Sequence, residues 1–210
     1  MRIDNEEELD ERLLQRMQRG DGLAFATLTT RYWHIIHRIC LNLLPSASEA
    51  REATEEIFLE MSRAPASFSS GAPFKTSLLR VALRRVLTRR RSTPPSGATS
   101  LEAFLPHFDG DGRLAPLVPD EATLARMAFN RDLRERIREA LRRLDGLDHA
   151  SYVLREVEEV SVDQTAAVLG IPPESVRRRT HRVCLMLTGY LGELFAVPRV
   201  PEKESRLRPQ

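Results

Sequence analysis

The sequence of 210 residues has few of the residues on which several protein classes depend. It contains two cysteines, Cys40 and Cys184, a single tryptophan, and only 6% aromatic residues. The cysteines are far apart and lie within apolar helical patterns, so neither a disulfide framework nor a metal cluster is indicated. No apolar run approaches the roughly 18 residues of a membrane span, and the acidic start lacks the order of a signal peptide. We therefore expect a cytoplasmic protein without a membrane segment.

Patterns associated with catalysis are also missing. The sequence has no glycine-rich phosphate loop and no nucleophile motif. His34, His37 and Cys40 recur every three residues on one predicted helix. Side chains at three-residue steps point in progressively different directions around a helix, and no fourth ligand accompanies the three residues. We predict no metal, no cofactor and no enzymatic activity.

Helical periodicity is the main feature that the sequence does have. Charged residues make up 30% of the chain and hydrophobic residues 41%, and apolar residues recur at three- and four-residue steps through most of it. The pattern stops where proline, glycine and serine accumulate after Ser92, and again in the charged, proline-rich end. The sequence predicts an all-α protein of two small helical domains joined by a flexible linker. The predicted bounds are 1–92 and 128–195 for the domains, 93–127 for the linker and 196–210 for a disordered tail.

The stretch from Ser161 to Arg182 has the pattern of a helix-turn-helix. Ser161 is a candidate N-cap, followed by apolar residues at helical spacing. Gly170 suits the left-handed conformation at the end of a helix, and Pro172 suits the first turn of the next one. In this motif the second helix lies in the DNA major groove. The alternative is an ordinary surface helix with a solvated run of charge.

Charge is distributed unevenly although the net charge is only +2. Basic residues gather near 75–91 and 177–182, which suggests two contacts with a polyanion. The first cluster has seven positive charges and no acidic residue, so it would repel itself unless an anion lay against it. Acidic residues gather before Glu60, and the predicted helix over 49–64 has an acidic outer face.

Together these stretches resemble the sigma-70 family of bacterial RNA polymerase initiation factors, and within it the small extracytoplasmic-function group. In the first half the resembling stretches are LLQRMQRGDGLAFATL, RYWHIIHRICLNLL, EAREATEEIFLEM and FKTSLLRVALRRVLTRRR, in the family's order. In the second half they are LRRL and VLREVEEVSVDQTAAVLGIPPESVRRRTHR. The resemblance implies a region 2 helical bundle followed by a region 4 helix-turn-helix.

The resemblance also implies partners. A member of this family binds core RNA polymerase and directs promoter recognition, DNA melting and initiation at a specific regulon. The acidic helix is expected to dock on a coiled coil of the largest polymerase subunit, through Glu52, Glu55, Glu56, Phe58 and Leu59. An anti-sigma protein is a further expected partner. Without the resemblance, the acidic face would be interpreted as solvated surface.

In the family, the loop before the basic helix and the helix itself open the minus-ten element and hold a flipped base of the non-template strand. The residues at those positions are Phe68, Lys75, Arg80, Arg84 and Arg85. An aromatic ring beside cations suits single-stranded DNA, because a base stacks on the ring while phosphates meet arginines. We interpret Phe74, in the same stretch, as a core residue in preference to a base contact.

The resemblance assigns the second helix of the helix-turn-helix to the minus-thirty-five element of duplex promoter DNA. The expected contacts with base edges are Ser175, Arg177 and Arg178, and those with phosphates are Arg179, His181 and Arg182. Three positions depart from the family pattern. Ser77 and Arg84 replace a frequent tryptophan and asparagine near the melting element, and the turn at 145–148 lacks the usual prolines.

Two other functions remain open from the sequence. One is a helix-turn-helix regulator that binds an operator as a dimer, without polymerase. The other is a sigma-like protein-interaction module that no longer reads promoters.

Overall fold

The computed structural model describes residues 3–69, 71–92 and 131–195, and every regular element in these ranges is a helix. The α-helices are α1 (Ile3–Gln18), α2 (Gly22–Leu43), α3 (Ala47–Arg63), α4 (Phe74–Ser92), α5 (Arg131–Arg142), α6 (Gly146–Tyr152), α7 (Val162–Leu169) and α8 (Pro173–Phe195). A short 3-10 turn, Pro65–Phe68, precedes α4, and α6 continues into a π-helical turn, Val153–Val157. The predicted all-α class is confirmed. The predicted linker and tail lie outside the described residues.

Helices α1 to α4 form a bundle whose ends are fixed by local hydrogen bonds. Asp21 caps α2 by accepting from the backbone N–H groups of Leu23 and Ala24, at 2.9 and 3.2 Å. Ser46 caps α3 by accepting from the N–H of Glu49 at 3.2 Å. The apolar faces meet in a core whose fully buried side chains include Leu14, Leu28, Ile36, Ile57, Met61 and Leu78. Each such side chain contributes roughly 1.5–3 kcal/mol through its removal from water.

The helix-turn-helix forms as the sequence predicts. The Ser161 hydroxyl accepts from the N–H of Gln164 at 3.2 Å, and Gly170 ends α7 with a φ of +66°. Val176 and Thr180 face inward on α8. Helix α8 continues well beyond the motif, and its second half packs on α5 in a separate small core that includes Ala140, Leu141, Leu144, Val183, Met186 and Leu187.

The two halves of the chain pack against each other. Val153, Leu154, Val160 and Val168 belong to the same buried cluster as the core of α1 to α4, and α7 lies against α4. Regular helical spacing would place Val157 on the same inner side as Val153 and Leu154, but Val157 is 37% exposed at the end of the π-helical turn. The π-helical turn shifts the positions that face inward, which a regular helical spacing does not anticipate.

His149 lies at the junction between the halves and is buried. Its Nδ1 is 2.6 Å from Nη1 of Arg90, and its Nε2 has no hydrogen-bond partner among the described residues. The other terminal nitrogen of Arg90 donates to the carbonyl oxygens of Arg142 and Leu144, each at 3.0 Å. Burial, and then the positive charges of Arg90 and Arg142, lower the pKa of His149 from 6.5 to about 3. The imidazole is therefore neutral in the folded protein at neutral pH.

Gly170 and Gly22 form a matched pair for testing the turn. A Cβ at either position would meet no neighbouring atom within 4 Å, but only Gly170 has a positive φ. We expect Gly170→Ala to lower the free energy of unfolding by about 1 kcal/mol, because a side chain is strained in the left-handed region. Gly22→Ala should be neutral or stabilising, since it lowers only the entropy of the unfolded chain. Urea denaturation measures both, and equal effects would contradict the assigned turn.

The lowered pKa of His149 predicts a pH dependence of stability. Between about pH 6.5 and pH 3 the unfolded chain binds one more proton at this residue than the folded protein, so lowering the pH destabilises the fold. The contribution is up to about 1.4 kcal/mol per pH unit. The difference in unfolding free energy between wild type and His149→Asn should therefore shrink from pH 7 to pH 5 in urea denaturation. A difference that does not change with pH would contradict the assignment.

Candidate nucleic-acid interface

The basic face of α4 lies against the acidic face of α3. Arg85 donates to Glu56 at 3.1 Å and to Glu60 at 2.7 Å, and Glu60 also accepts from Arg84 at 3.2 Å. Arg89 donates to Glu56 at 2.8 Å. The hydrogen bond with Glu60 raises the pKa of Arg85. We call these five side chains the α3–α4 charge cluster. We expected an anion beside the basic helix, and the carboxylates of Glu56 and Glu60 in the same chain are that anion.

The basic residues nearer the start of α4 have different surroundings. Arg80 donates to the carbonyl oxygen of Ala167 at 3.0 Å. That carbonyl is in the last turn of α7, where helix carbonyls lack partners within the helix and a cation is favourable. Arg80 thus connects the two halves of the chain, while Lys75 is half-buried at the start of α4.

The loop before α4 buries its aromatic residues. Phe68 and Phe74 are fully buried, with ring centroids 6.2 Å apart, and the N–H of Phe74 donates to a carboxylate oxygen of Glu11 at 2.8 Å. The core interpretation of Phe74 agrees with this position. In this arrangement the ring of Phe68 is not accessible to a base, so its stacking on a flipped base stays a prediction that requires the loop to move.

A cleft of about 690 Å³ lies between this loop and α1. Its lining consists of Glu8, Glu11, Gln15, Gln18, Ser69, Gly71, Ala72 and Pro73. Gln18 donates to the Ser69 hydroxyl at 2.5 Å, which ties α1 to the loop. Sequence reasoning missed the contribution of α1, although its carboxylates and amides recur at three- and four-residue steps and therefore share one helix face.

Helix α8 is held in place by a buried carboxylate. Asp148, 3% exposed, accepts from Arg179 at 2.6 Å and from Arg182. These two arginines, expected at phosphates, are therefore paired on one side of α8. Arg177 is exposed and 3.4 Å from Glu174.

The remaining candidates on α8 lie near its N-terminal end. Arg178 and His181 are exposed, and Ser175 is half-buried. Together with Arg177 they form the outward surface of the helix, which we call the α8 outer face. A helix that presents arginines near its N-terminus on a braced helix-turn-helix has the form of a major-groove reader.

Comparison with known proteins agrees with both halves of this description. The family model for sigma-70 region 2 matches residues 28–93, and that for sigma-70 region 4 matches residues 134–187. The chain belongs to the sigma-70 family. The RNA polymerase sigma-H factor of Pseudomonas aeruginosa is 29% identical over 180 residues, covering 84% of this chain and 90% of the relative. The ECF RNA polymerase sigma-E factor of Escherichia coli K12 is 27% identical over 182 residues, covering 85% and 92%.

A solved structure shows the same fold. The structure of CnrH in complex with the cytosolic domain of CnrY matches with a TM-score of 0.62 and 20% identity, over 88% of this chain and 97% of that one. With these relatives the chain is a sigma factor of the extracytoplasmic-function group, which binds core RNA polymerase and recognises promoter DNA. None of the described helices of this sigma factor has the length and hydropathy needed to cross a bilayer.

The residues expected at the polymerase differ in their accessibility. Phe58 is buried and stacks on Trp33 with ring centroids 5.4 Å apart, whereas Leu59 is 49% exposed. Glu55 is exposed and pairs with Arg51 at 2.9 Å along the same helix. Glu52 and Glu56 both approach Arg89, at 3.8 and 2.8 Å. The outermost of the five are therefore Leu59, Glu55 and Glu52.

One departure from the family pattern has a clear structural setting. Ser77 is buried, and its hydroxyl has no hydrogen-bond partner among the described residues. Arg84, the other departure, is an exposed member of the α3–α4 charge cluster. The sigma factor thus has a small buried residue and a paired cation where its resemblance to the family led us to expect tryptophan and asparagine.

The α3–α4 charge cluster predicts how the free sigma factor responds to loss of its carboxylates. Glu56→Gln with Glu60→Gln should release Arg84 and Arg85 from their carboxylates and leave Arg89 with only the more distant Glu52, at 3.8 Å. We expect the double variant to bind single-stranded DNA more tightly than wild type, with a steeper dependence on salt, because more cations reach phosphates. Fluorescence anisotropy over a salt series measures this. The control Glu55→Gln removes a carboxylate of the same helix that does not face α4, and an equal effect there would contradict the pairing.

Proposed function

We propose that this sigma factor divides promoter recognition between the α8 outer face and the surface around the loop before α4. It acts in the cytoplasm, and polymerase supplies the catalysis. The observation that carries the proposal is the braced helix-turn-helix, in which buried Asp148 fixes α8 from behind while Arg177, Arg178 and His181 face outward.

The α8 outer face is proposed to read the minus-thirty-five element. Arginine binds guanine with two hydrogen bonds, and each such contact is worth about 1–3 kcal/mol of discrimination. We assign base edges to Ser175, Arg177 and Arg178, and phosphates to His181. Arg179 and Arg182 reach phosphates only by sharing or leaving Asp148, so in this proposal their first role is to orient the helix.

The cleft between α1 and the loop is proposed to receive the flipped base of the melted non-template strand at the minus-ten element. Its amide and carboxylate groups, on Gln15, Gln18 and Glu11, offer donors and acceptors for the edge of a base. We assign Lys75 and Arg80 to the nearby phosphates. Both are cations of α4 that lie outside the α3–α4 charge cluster. Phe68 supports the loop from the core and is a stacking surface only after the loop opens.

The outer side of α3 is proposed to bind core polymerase. Leu59 offers an exposed apolar side chain between carboxylates, and an apolar residue surrounded by charge is a common centre of a protein interface. Phe58 lies on the buried side of α3, where its stacking on Trp33 holds the helix in position. An anti-sigma protein is proposed as a second partner, because the similar CnrH structure holds the cytosolic domain of CnrY.

Reconstituted transcription tests the proposal. Transcripts induced by overexpression give the promoter, and purified sigma factor with core polymerase should then initiate at that promoter in vitro. Arg177→Ala and Arg178→Ala should each weaken holoenzyme binding to the duplex minus-thirty-five element by about 1–3 kcal/mol. Arg138→Ala, which changes an exposed arginine of α5, is the control and should have no effect. Failure to initiate at any promoter so identified would refute the proposal.

A further inference from the structure

Helix α8 presents a stripe of four exposed side chains near its N-terminal end. The stripe consists of Glu174, Arg177, Arg178 and His181. These positions are three and four residues apart, so they share one face of the helix. Val176 and Thr180 are buried on the opposite side. Glu174, in the first turn, is therefore the N-terminal member of the surface assigned to DNA, although it was not among the residues predicted to contact DNA.

A carboxylate on this surface has an electrostatic cost when DNA binds. The Glu174 side chain is 79% exposed, and its Oε2 lies 3.4 Å from Nη1 of Arg177, whose side chain is 58% exposed. Exposed ion pairs one turn apart on a helix are weak, so Arg177 can exchange this partner for a base. Glu174 then faces the DNA without its cation, and a phosphate or a base acceptor repels it. Binding is therefore most favourable where the DNA offers a hydrogen-bond donor to the carboxylate.

The edges of the bases in the major groove contain two kinds of such donor. Cytosine presents its amino group at N4 and adenine presents its amino group at N6, whereas guanine presents the acceptors N7 and O6 and thymine presents O4. In adenine the amino group lies beside N7, an acceptor that repels the second oxygen of a carboxylate. Cytosine is therefore the base that suits the carboxylate of Glu174 best.

We propose that Glu174 is a specificity-determining residue that selects cytosine at one position of the minus-thirty-five element. The inference rests on the proposed function, because that function places α8 in the major groove with its N-terminal residues at base edges. Arg177 then binds guanine in the same base pair or in a neighbouring one, since the two side chains lie one helical turn apart. Glu174 also disfavours sequences with an acceptor at this position, because its unpaired charge is repelled there.

Glu174 has a second effect that does not depend on the DNA sequence. A carboxylate in the first turn of a helix interacts favourably with the helix macrodipole. Asp163, exposed in the first turn of α7, has the same effect on the other helix of the motif. Asp163→Ala is therefore the matched control, because it removes a comparable charge from a position outside the exposed stripe of α8.

A substitution series across the minus-thirty-five element tests the proposal. Each base pair of the promoter given by the induced transcripts is replaced in turn by the other three, and binding of reconstituted holoenzyme is measured by competition. Glu174→Ala should lower one cytosine preference roughly tenfold and leave the preferences at other positions unchanged. The affected cytosine should lie in the same base pair as the guanine that Arg177→Ala identifies, or next to it. Unrelated duplex DNA should bind the Glu174→Ala variant severalfold more tightly, because a repulsive charge is gone.

Glu174→Gln gives a readout that an effect on helix stability alone does not produce. Glutamine pairs with adenine through N6 and N7, so this variant should accept adenine at the position where the wild type selects cytosine. Asp163→Ala is expected to change the affinity by the same factor for every sequence. If Glu174→Ala does the same, its carboxylate acts only on the helix and the proposal is overturned.

The arginine variants separate this inference from the proposed function. If Arg177→Ala and Arg178→Ala each remove a base preference while Glu174→Ala leaves every preference intact, the role of Glu174 is overturned and the sigma function stands. If neither arginine variant changes any base preference, α8 does not read the element, and the proposed function is refuted together with the inference that rests on it.

Discussion

Opposite charges on α3 and α4 are the interaction that determines which charged surface the first half of this protein offers to its partners. Helix α4 has cations along most of its length, and a helix so charged is self-repelling unless carboxylates lie beside it. Glu56 and Glu60 supply them, with Arg85 bonded to both. The apolar core sets how α3 and α4 lie side by side, with Phe68 of the loop between them in the same core. The pairing makes that packing compatible with the charge of α4, because it neutralises the arginines where the two helices meet.

The same charges serve two proposed partners. The carboxylates of α3 are candidates for polymerase, and the arginines of α4 are candidates for DNA, yet in the free protein they neutralise each other. Exposed ion pairs of this kind are individually worth little, so exchanging a partner within the protein for one outside it costs little free energy. The surface can therefore be occupied in the free protein and still be available to a partner that offers better geometry.

Sequence patterns predicted the elements better than their arrangement. Ser161 and Gly170 mark the helix-turn-helix through their own backbone chemistry, which operates over a few residues and can be read locally. The burial of Phe68 could not be read in this way, because a serine- and glycine-rich loop indicates exposure while the ring inserts into a core made by distant helices. The role of Asp148 depends on residues that meet only after the chain has folded. The same holds for Glu158, whose buried carboxylate accepts from Arg38 of α2. The predicted DNA-contact surface of α8 was therefore broader than the α8 outer face. It included Arg179 and Arg182, which pair with Asp148 in the structure.

Intramolecular pairing of so many arginines affects how strongly the protein binds to chromosomal DNA of unrelated sequence. Sequence-independent attraction to a duplex grows with each cation that can displace a counterion, and a genome offers millions of such binding places. Arg179 and Arg182, bound to the buried carboxylate of Asp148, contribute less to this attraction than solvated arginines would. Pairing within the chain thus favours weaker non-specific binding to DNA than the number of arginines alone would give.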